Sequence, residues 1–390
     1  MTAEQLEGVP AEVPASSREA GSAYVDLANV GYLLYGVGAV TAFLAAALSL
    51  TDAEAALHSS VLAVGLLAAG LGTDRIDTLL GPKRTNIVGF ALLALGSIFI
   101  VSAAAYAMTL AGAGMIGVAT GLLLAHANRV MTRGGGALAQ MRMNRGGLVA
   151  MLGSMSVPVV IWLGDGIGIG WPLAFVVAGG LIVVGLFAMR WRDDVASTAG
   201  TRTGGQLSRG FWLTWWLVVL GVSVEFAIVF WASTLVERQI EISLFDATLV
   251  STSFYVGMAA TRLALSFQLL GGRDPITLIR VGFVVAIAGL LLAWTAESVA
   301  LAALGIFLGG IGIGCQYPMG IAVALALARG LEDQGSARLI LASGVAILVA
   351  PFVLGLVADA AGVSIGWLLI PALCAAALAL SIPVGRARMA

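Results

Sequence analysis

The feature that most constrains this chain is the alternation of long apolar runs with short polar connections. Each run is long enough, at about 20 residues, for a helix to cross the hydrocarbon core of a bilayer. Of the 390 residues, 60% are hydrophobic and 11% are charged, which is far from the composition of soluble domains. An outer-membrane barrel requires strands of roughly 10 residues in which apolar and polar side chains alternate, and the sequence does not show this pattern. Hydropathy predicts an all-α membrane protein with twelve transmembrane helices, at about 27–49, 53–72, 85–107, 110–128, 144–164, 170–189, 211–235, 247–270, 276–295, 300–328, 336–358 and 365–384.

Positive charges fall on one side of these predicted spans. Of the 20 Lys and Arg residues, all except Arg238 lie on or toward that side. The connections on the other side carry acidic residues instead, among them Asp52, Glu54 and Asp359. Because Lys and Arg resist translocation, this asymmetry predicts that both termini are cytoplasmic, in a multi-pass protein of the inner or plasma membrane. Termini on one side also require an even number of spans.

Polar segments divide the chain into two halves. Residues 1–24 are acidic and lack the basic-then-apolar order of a secretory signal, so we expect a short disordered cytoplasmic tail. The longest polar interruption, residues 191–210, is predicted to be a cytoplasmic linker. It separates an N-terminal six-helix bundle, residues 25–190, from a C-terminal six-helix bundle, residues 211–385.

The two halves match each other in an ordered series of short segments. Residues 64–69 pair with residues 256–261, and residues 169–171 pair with residues 365–367, so the offset stays between 192 and 196. An ordered series in one register indicates a duplicated unit. Two six-helix repeats in the same orientation predict a pseudo-twofold axis along the membrane normal, with a central site between the two bundles.

A motif follows the second predicted span. The chain reads Gly-Leu-Gly-Thr-Asp-Arg over residues 70–75 and Gly-Pro-Lys-Arg over residues 81–84. These segments resemble the signature loop of the major facilitator superfamily, Gly-x-x-x-Asp-Arg-x-Gly-Arg-Arg, although residues 76–80 separate its two parts here. The resemblance implies a secondary transporter that works by alternating access and functions as a monomer. We expect gating roles for a set of charged residues, including a reduced counterpart in the second half: Asp74, Arg75, Lys83, Arg84 and Arg262. The alternative is that these charges only set the topology.

Two further segments bear on the branch of this family. Residues 309–318 and 350–355 look similar, more loosely, to the sugar-permease-like, fucose-permease-type branch. The fifth span has Gly-Ser-Met-Ser-Val-Pro-Val-Val at residues 153–160, where drug–proton antiporters usually carry Gly-x-x-x-Gly-Pro-x-x-Gly-Gly. This departure weakens an antiporter assignment.

Glu225 is the main candidate for chemistry within the membrane. It lies well inside the seventh span, among apolar residues. An ionised carboxylate is costly there and protonation removes most of that cost, so an acid at this depth is by default a functional hypothesis. We expect Glu225 to bind the coupling proton. The alternative is a structural glutamate that is hydrogen-bonded to a neighbouring helix.

Other polar and aromatic residues are candidates for the central site. Asp26, Asn29 and Tyr32 follow one another at steps of three residues and form a polar stripe on the first span, a helix that lines the central cavity in the resembled family. Asp26 either caps this helix at the cytoplasmic surface or is a second proton-coupling residue, while Asn29 and Tyr32 are predicted to bind substrate. The remaining substrate-binding candidates lie on the seventh, eighth and tenth spans: Ser223, Phe226, Phe230, Tyr255, Gln316 and Tyr317.

The leading hypothesis is a proton-coupled secondary transporter of a small organic solute. Two alternatives stay open: a drug–proton efflux antiporter and, in a different class, a non-transporting membrane sensor or scaffold. An enzyme is disfavoured because the sequence contains no nucleophile–base pair, phosphate loop or metal-ligand cluster, and no cofactor is implied. A net charge of −1 gives no reason to expect a nucleic-acid partner. The expected partners are the solute, protons and the lipid bilayer.

Overall fold

The structure, a computed structural model, describes residues 15–133, 135–192, 205–267, 269 and 272–389. No strand occurs in these ranges, and a 3₁₀ turn, Met189–Trp191, follows the sixth helix. The α-helices are α1 (Ser17–Leu48), α2 (Asp52–Leu80), α3 (Pro82–Ser102), α4 (Tyr106–Thr132), α5 (Gly136–Gly166), α6 (Leu173–Ala188), α7 (Arg209–Ile240), α8 (Leu244–Ser266), α9 (Pro275–Trp294), α10 (Val299–Ile313), α11 (Gln316–Ala326), α12 (Glu332–Ala361), α13 (Val363–Trp367) and α14 (Leu369–Met389).

Eleven helical segments of the described chain are long and apolar enough to cross a membrane. The pair α10 and α11 forms one of these segments, and the pair α13 and α14 forms another. The eighth predicted span, α8, is the exception, because Asp246, Arg262 and several Ser and Thr residues lower its hydropathy. It packs against α5, α7 and α10, so these polar groups have protein neighbours. The predicted all-α, multi-span class is confirmed.

The predicted N-terminal tail is longer than the segment that precedes the first helix in the structure. Helix α1 begins at Ser17, because Ser16 accepts a hydrogen bond from the Glu19 backbone N–H and caps the helix. The final part of the predicted tail, residues 17–24, is therefore helical, and residues 1–14 lie outside the described residues. Most of the predicted linker, residues 193–204, also lies outside them.

Successive spanning helices run in opposite directions, so their connections alternate between the two ends of the bundle. We call the end with the α2–α3 and α4–α5 connections the linker end, since the α6–α7 connection lies there too. The end with the α1–α2 and α7–α8 connections is the distal end. The halves meet through three main helix pairs: α2 with α12, α5 with α8, and α1 with α7.

The internal repeat is visible in how helices contact one another. A Cβ on Gly65 of α2 would clash with the backbone of α4, and a Cβ on Gly257 of α8 would clash with the backbone of α10. Both glycines let two helices touch through their main chains. Gly65 and Gly257 are separated by 192 residues, which is within the offset range found in the sequence. The α2–α4 pair and the equivalent α8–α10 pair therefore pack in the same way.

Candidate functional site

Glu225 lies at the middle of α7, which is buried along most of its length. Its side chain is 5% exposed, and the hydroxyl of Tyr35 donates a hydrogen bond to its Oε1 atom. Tyr35 belongs to α1, in the N-terminal half, whereas Glu225 belongs to the C-terminal half. The predicted proton-coupling residue thus bonds directly across the interface between the two halves.

Aromatic rings surround this hydrogen bond. The ring of Tyr35 lies 5.1 Å from that of Phe226, centroid to centroid, and 6.0 Å from that of Tyr255. Phe226 and Tyr255 are 4% and 3% exposed, so the rings exclude water from the carboxylate. Edge and tilted contacts of this kind contribute about 0.5–1.5 kcal/mol per pair beyond the burial of area. Helices α1, α7 and α8 are thereby joined around Glu225.

Arg262 supplies a positive charge to the same region. Its Nη1 atom lies 4.0 Å from the sulfur of Met151 on α5, and its Nε atom is buried without a hydrogen-bond partner. Within the described part of the chain, no ion pair joins Arg262 to a carboxylate. The hydroxyls of Tyr35 and Tyr317 lie within electrostatic range of both Arg262 and Glu225. We refer to Tyr35, Glu225, Phe226, Tyr255, Arg262 and Tyr317 as the central cluster.

The sequence predicts that Arg262 is a gating charge toward the linker end, as a weak copy of the segment around Asp74. In the structure, Arg262 lies about one turn before the end of α8, and its side chain extends toward Met151 of the opposite half. The sequence indicates that Arg262 and Tyr255 face the same neighbours, because Arg262 lies seven residues after Tyr255, about two turns along the same face of α8.

The polar stripe of α1 faces the interior of its own half. Asn29 donates from Nδ2 to the Leu181 carbonyl of α6 at 3.1 Å. Tyr32 donates its hydroxyl to the Ala174 carbonyl of α6 at 2.9 Å. Both predicted substrate-binding residues therefore connect α1 to α6, and neither belongs to the central cluster. The helix presents Tyr35 to the other half instead.

Asp26 has a partner that the sequence did not reveal. It forms an ion pair with Arg192, directly after the 3₁₀ turn, and the two side chains are 0% and 1% exposed. Glu19, farther toward the start of α1, forms a second pair with Arg133, in which the Glu19 side chain is 1% exposed and the Arg133 side chain is 19% exposed. Charges at such sites are tolerated only when they are paired, because desolvation is costly. Asp26 is thus neither a simple helix cap nor part of the central cluster.

The other predicted substrate residues divide between the interface and the helix packing. Gln316 donates from Nε2 to the carbonyls of Ile279 at 3.0 Å and Gly312 at 3.1 Å, so its amide holds α11 against α9 and α10. Phe230 packs beside Gly38 of α1, where a Cβ would lie 3.1 Å from the ring. Ser223 is buried on α7, two residues before Glu225.

The motif after the second span is helical in its first part. Helix α2 continues through Gly70 and Gly72 to Leu80 and ends before Gly81 and Pro82, so Asp74 lies on its last turns, not in a loop. Asp77 holds the buried position: its side chain is 4% exposed and its Oδ2 lies 2.5 Å from Arg129 of α4. Asp74 is 84% exposed and 3.9 Å from the same arginine. The other predicted gating residues of this segment are exposed: Arg75, Lys83 and Arg84.

At the distal end, ionic contacts join the two halves. Arg238, at the end of α7, forms a bidentate pair with Asp52, with both N–O distances at 2.7 Å. The Asp359 carboxylate, at the end of α12, accepts hydrogen bonds from the backbone N–H groups of Asp52 at 2.7 Å and Ala53 at 3.0 Å. A carboxylate at the start of α2 is also favoured by the helix dipole. We call Asp52, Arg238 and Asp359 the distal latch. The sequence feature that points to the distal latch is Arg238, the one cation on the side of the spans whose connections are acidic.

Comparison with known structures agrees with this architecture. A structure of a proton dependent oligopeptide transporter aligns with a TM-score of 0.76 at 14% identity, covering 95% of this chain and 98% of that one. The nucleoside transporter NupG aligns with a TM-score of 0.74 at 11% identity, over 93% and 98% of the two chains. The fucose:proton symporter FucP of E. coli aligns with a TM-score of 0.62 at 20% identity, over 94% and 98%. At identities this low, the structural similarity shows a shared fold and nothing more.

Sequence comparison gives the family. No protein of curated function matches the chain. The model of the Major Facilitator Superfamily matches residues 27–337, which is most of the chain. The resemblance in residues 70–75 and 81–84 is therefore confirmed, as is the predicted fold of twelve helices in two pseudo-twofold bundles. It follows that the protein is not an enzyme but an integral, multi-pass membrane protein, and that it belongs to the Major Facilitator Superfamily of secondary transporters.

Proposed function

We propose that this protein moves a small organic solute across the membrane by alternating access and that Glu225 carries the coupling proton. The observation that carries the proposal is the hydrogen bond between Tyr35 and Glu225, because it joins the two halves at the middle of α7. When the halves rock against each other, this bond must break and re-form. The protonation state of Glu225 then enters the energy of the conformational change.

The physical reason is the cost of a bare charge. An ionised carboxylate that loses its hydrogen-bond donor in an apolar setting is destabilised by a few kcal/mol. A proton on Glu225 removes most of that cost, so the protonated carrier crosses more readily. Two structural relatives support this role, since one is a fucose:proton symporter and another is a proton dependent oligopeptide transporter.

The remaining parts of the proposal concern placement in the cell. The linker end and both termini lie in the cytoplasm, with the protein in an inner or plasma membrane, and the charge asymmetry supports this orientation. The protein acts as a monomer in contact with lipid. An efflux antiporter for hydrophobic cations is less well supported, because the guanidinium of Arg262 would repel such a substrate. A sensor or scaffold would leave Glu225 without a role.

The test is solute-driven proton entry into proteoliposomes that contain a pH-sensitive dye. A panel of sugars, nucleosides, amino acids, carboxylates and hydrophobic cations is added outside. For the wild-type protein, we expect at least one class to drive proton entry. Glu225→Gln is expected to reduce that rate about tenfold or more, which corresponds to at least 1.4 kcal/mol.

The matched control is Glu297→Gln, since Glu297 is an exposed acid in the α9–α10 connection, away from the central cluster. It is expected to behave like the wild-type protein. If Glu225→Gln keeps full proton entry with the same solute, Glu225 is structural and the proton site lies elsewhere. Asp26→Asn would then be the next variant to measure.

A further inference from the structure

We propose that the transported solute is a small organic monocarboxylate whose carboxylate group binds Arg262, and that each molecule moves together with one proton on Glu225. This inference rests on the proposed function and adds the substrate class and the stoichiometry. It is carried by the position of Arg262 at the interface of the halves, by the open hydrogen-bonding capacity of its guanidinium, and by the charge balance of the central cluster.

Arg262 is a cation that lacks a strong partner. A guanidinium stays protonated in proteins and offers five N–H donors. Among the described residues, the hydrogen-bond contact of its guanidinium is with the sulfur of Met151, which is a weak acceptor, and its Nε is buried without a hydrogen-bond partner. A charge in such a place is costly unless an anion compensates it. A carboxylate satisfies a guanidinium best, because two parallel hydrogen bonds match its planar geometry.

Two arginines of the N-terminal half show how a charge is neutralised within this protein. Arg192 is paired with Asp26, and Arg133 is paired with Glu19. In both pairs the acid belongs to α1. Among the described residues, Arg262 has no such acid, and neither has the buried Arg142, which donates to the Ala15 carbonyl within its own half. What distinguishes Arg262 is its position at the interface between the halves, where an anionic partner can bind and leave as the halves move.

Charge balance gives the stoichiometry. In the empty carrier, ionised Glu225 and Arg262 sum to zero. In the loaded carrier, protonated Glu225, Arg262 and the solute carboxylate also sum to zero. A carrier that holds only the proton has neutral Glu225 and charged Arg262, so the cluster has a net charge of +1. A carrier that holds only the solute carboxylate, with Glu225 ionised, has a net charge of −1. Because a net charge between apolar helices is costly, the empty and fully loaded forms are the ones that change conformation. Transport is therefore electroneutral.

The remaining cluster residues fit the rest of such a solute. Tyr35, Phe226 and Tyr255 place three aromatic rings next to Glu225, and they suit a planar or apolar body. One cation favours one carboxylate; a dicarboxylate or a phosphate would leave an anionic group without a cationic partner in the central cluster. An organic cation would bring a second positive charge to Arg262.

Binding to the purified full-length protein tests the substrate class. The probes are three matched pairs: benzoate and benzamide, phenylacetate and phenylacetamide, lactate and lactamide. Thermal stabilisation is titrated at fixed pH. At least one carboxylate is expected to stabilise the protein at a concentration about tenfold lower than its amide, the size of one charge-assisted hydrogen bond.

Variants assign this preference to Arg262. Arg262→Gln is expected to abolish the difference between a carboxylate and its amide, and Arg262→Lys to retain part of it. Arg273→Gln is the control, because Arg273 is an exposed arginine in the α8–α9 connection. The inference is overturned if no carboxylate of the panel stabilises the protein, if amides act equally well, or if Arg262→Gln keeps the preference.

Proteoliposome uptake of the bound carboxylate tests the stoichiometry. Uptake driven by a pH gradient is expected to be unchanged when a potassium gradient with valinomycin imposes a membrane potential. A dependence on the potential would overturn electroneutral transport. The two proposals fail separately. If the transported solute is neutral and Glu225→Gln uncouples its transport, the proposal of proton coupling is retained and that of a carboxylate substrate is rejected. If a carboxylate binds through Arg262 and Glu225→Gln leaves coupling intact, the carboxylate proposal is retained and the role of Glu225 in coupling is rejected.

Discussion

Tyr35 is the residue through which the N-terminal half reaches Glu225, and its hydroxyl is the group to test. Tyr35→Phe keeps the ring contacts with Phe226 and Tyr255 but removes the hydrogen bond to the carboxylate. A hydrogen bond to a charged group contributes about 1.5–3 kcal/mol. Solute-driven proton entry is therefore expected to fall roughly tenfold or more, measured in proteoliposomes.

The matched control for this variant lies one helical turn away on the same helix. Tyr32→Phe removes a hydrogen bond to the Ala174 carbonyl inside the N-terminal half. It is expected to lower the free energy of unfolding by about 1 kcal/mol and to leave coupling unchanged. Equal coupling in Tyr35→Phe and wild-type protein would show that this hydrogen bond has no part in transport.

Helix geometry explains why the sequence pointed to Glu225 and not to Tyr35. Glu225 stands out because a carboxyl among apolar residues is rare within a span. Asp26, Asn29 and Tyr32 were grouped as a stripe, yet each step of three residues turns the helix about 60° short of a full turn. Asp26 and Tyr35, separated by nine residues, lie on opposite sides of α1. A spacing pattern also does not tell which helix a face meets, so the pairing of Asp26 with Arg192 could not be predicted.

At the scale of elements, the sequence predicted the repeat better than the connections. Gly65 and Gly257 fall in equivalent helix contacts because close main-chain packing requires glycine at both positions. The α2–α3 connection was predicted less well, because helix α2 continues past Gly70 and Gly72 and carries Asp74 and Asp77 on its last turns. A family motif gives residue identities but not where a helix ends.

Asp77 is expected to matter more than Asp74 for the folding of the first half. Asp77→Asn leaves the charge of Arg129 without its close partner, while Asp74→Asn alters an exposed carboxylate. Breaking a fully buried pair costs about 3–5 kcal/mol and an exposed pair contributes about 0–1 kcal/mol. With Asp77 4% exposed and Arg129 30% exposed, the effect of Asp77→Asn lies between these limits. Thermal unfolding in detergent should therefore show a clear decrease for Asp77→Asn and little change for Asp74→Asn. The opposite order would contradict this assignment.

At the scale of the whole molecule, the halves are joined in two chemically different ways. The central cluster crosses the interface through one hydrogen bond, aromatic rings and an arginine. The distal latch crosses it through ion pairs and a capped helix start. A contact between the halves stabilises only those conformations in which it is formed. The distal latch therefore favours the conformation with the distal end closed.

Arg238→Gln is expected to shift the carrier toward conformations with an open distal end. The substitution removes two hydrogen bonds to Asp52 while keeping an amide of similar length. Half of the arginine side chain is exposed, at 49%, so we expect a loss of about 0.5–1 kcal/mol. That loss changes the ratio of two conformations by about two- to fivefold.

Spin labels at Ala104→Cys and Glu297→Cys, which are exposed distal positions in opposite halves, report the distance between the halves at the distal end. The longer-distance population should increase in Arg238→Gln and stay constant in Arg273→Gln, which removes an exposed arginine away from the distal end. Identical distance distributions in both variants would mean that the distal latch does not hold the halves together.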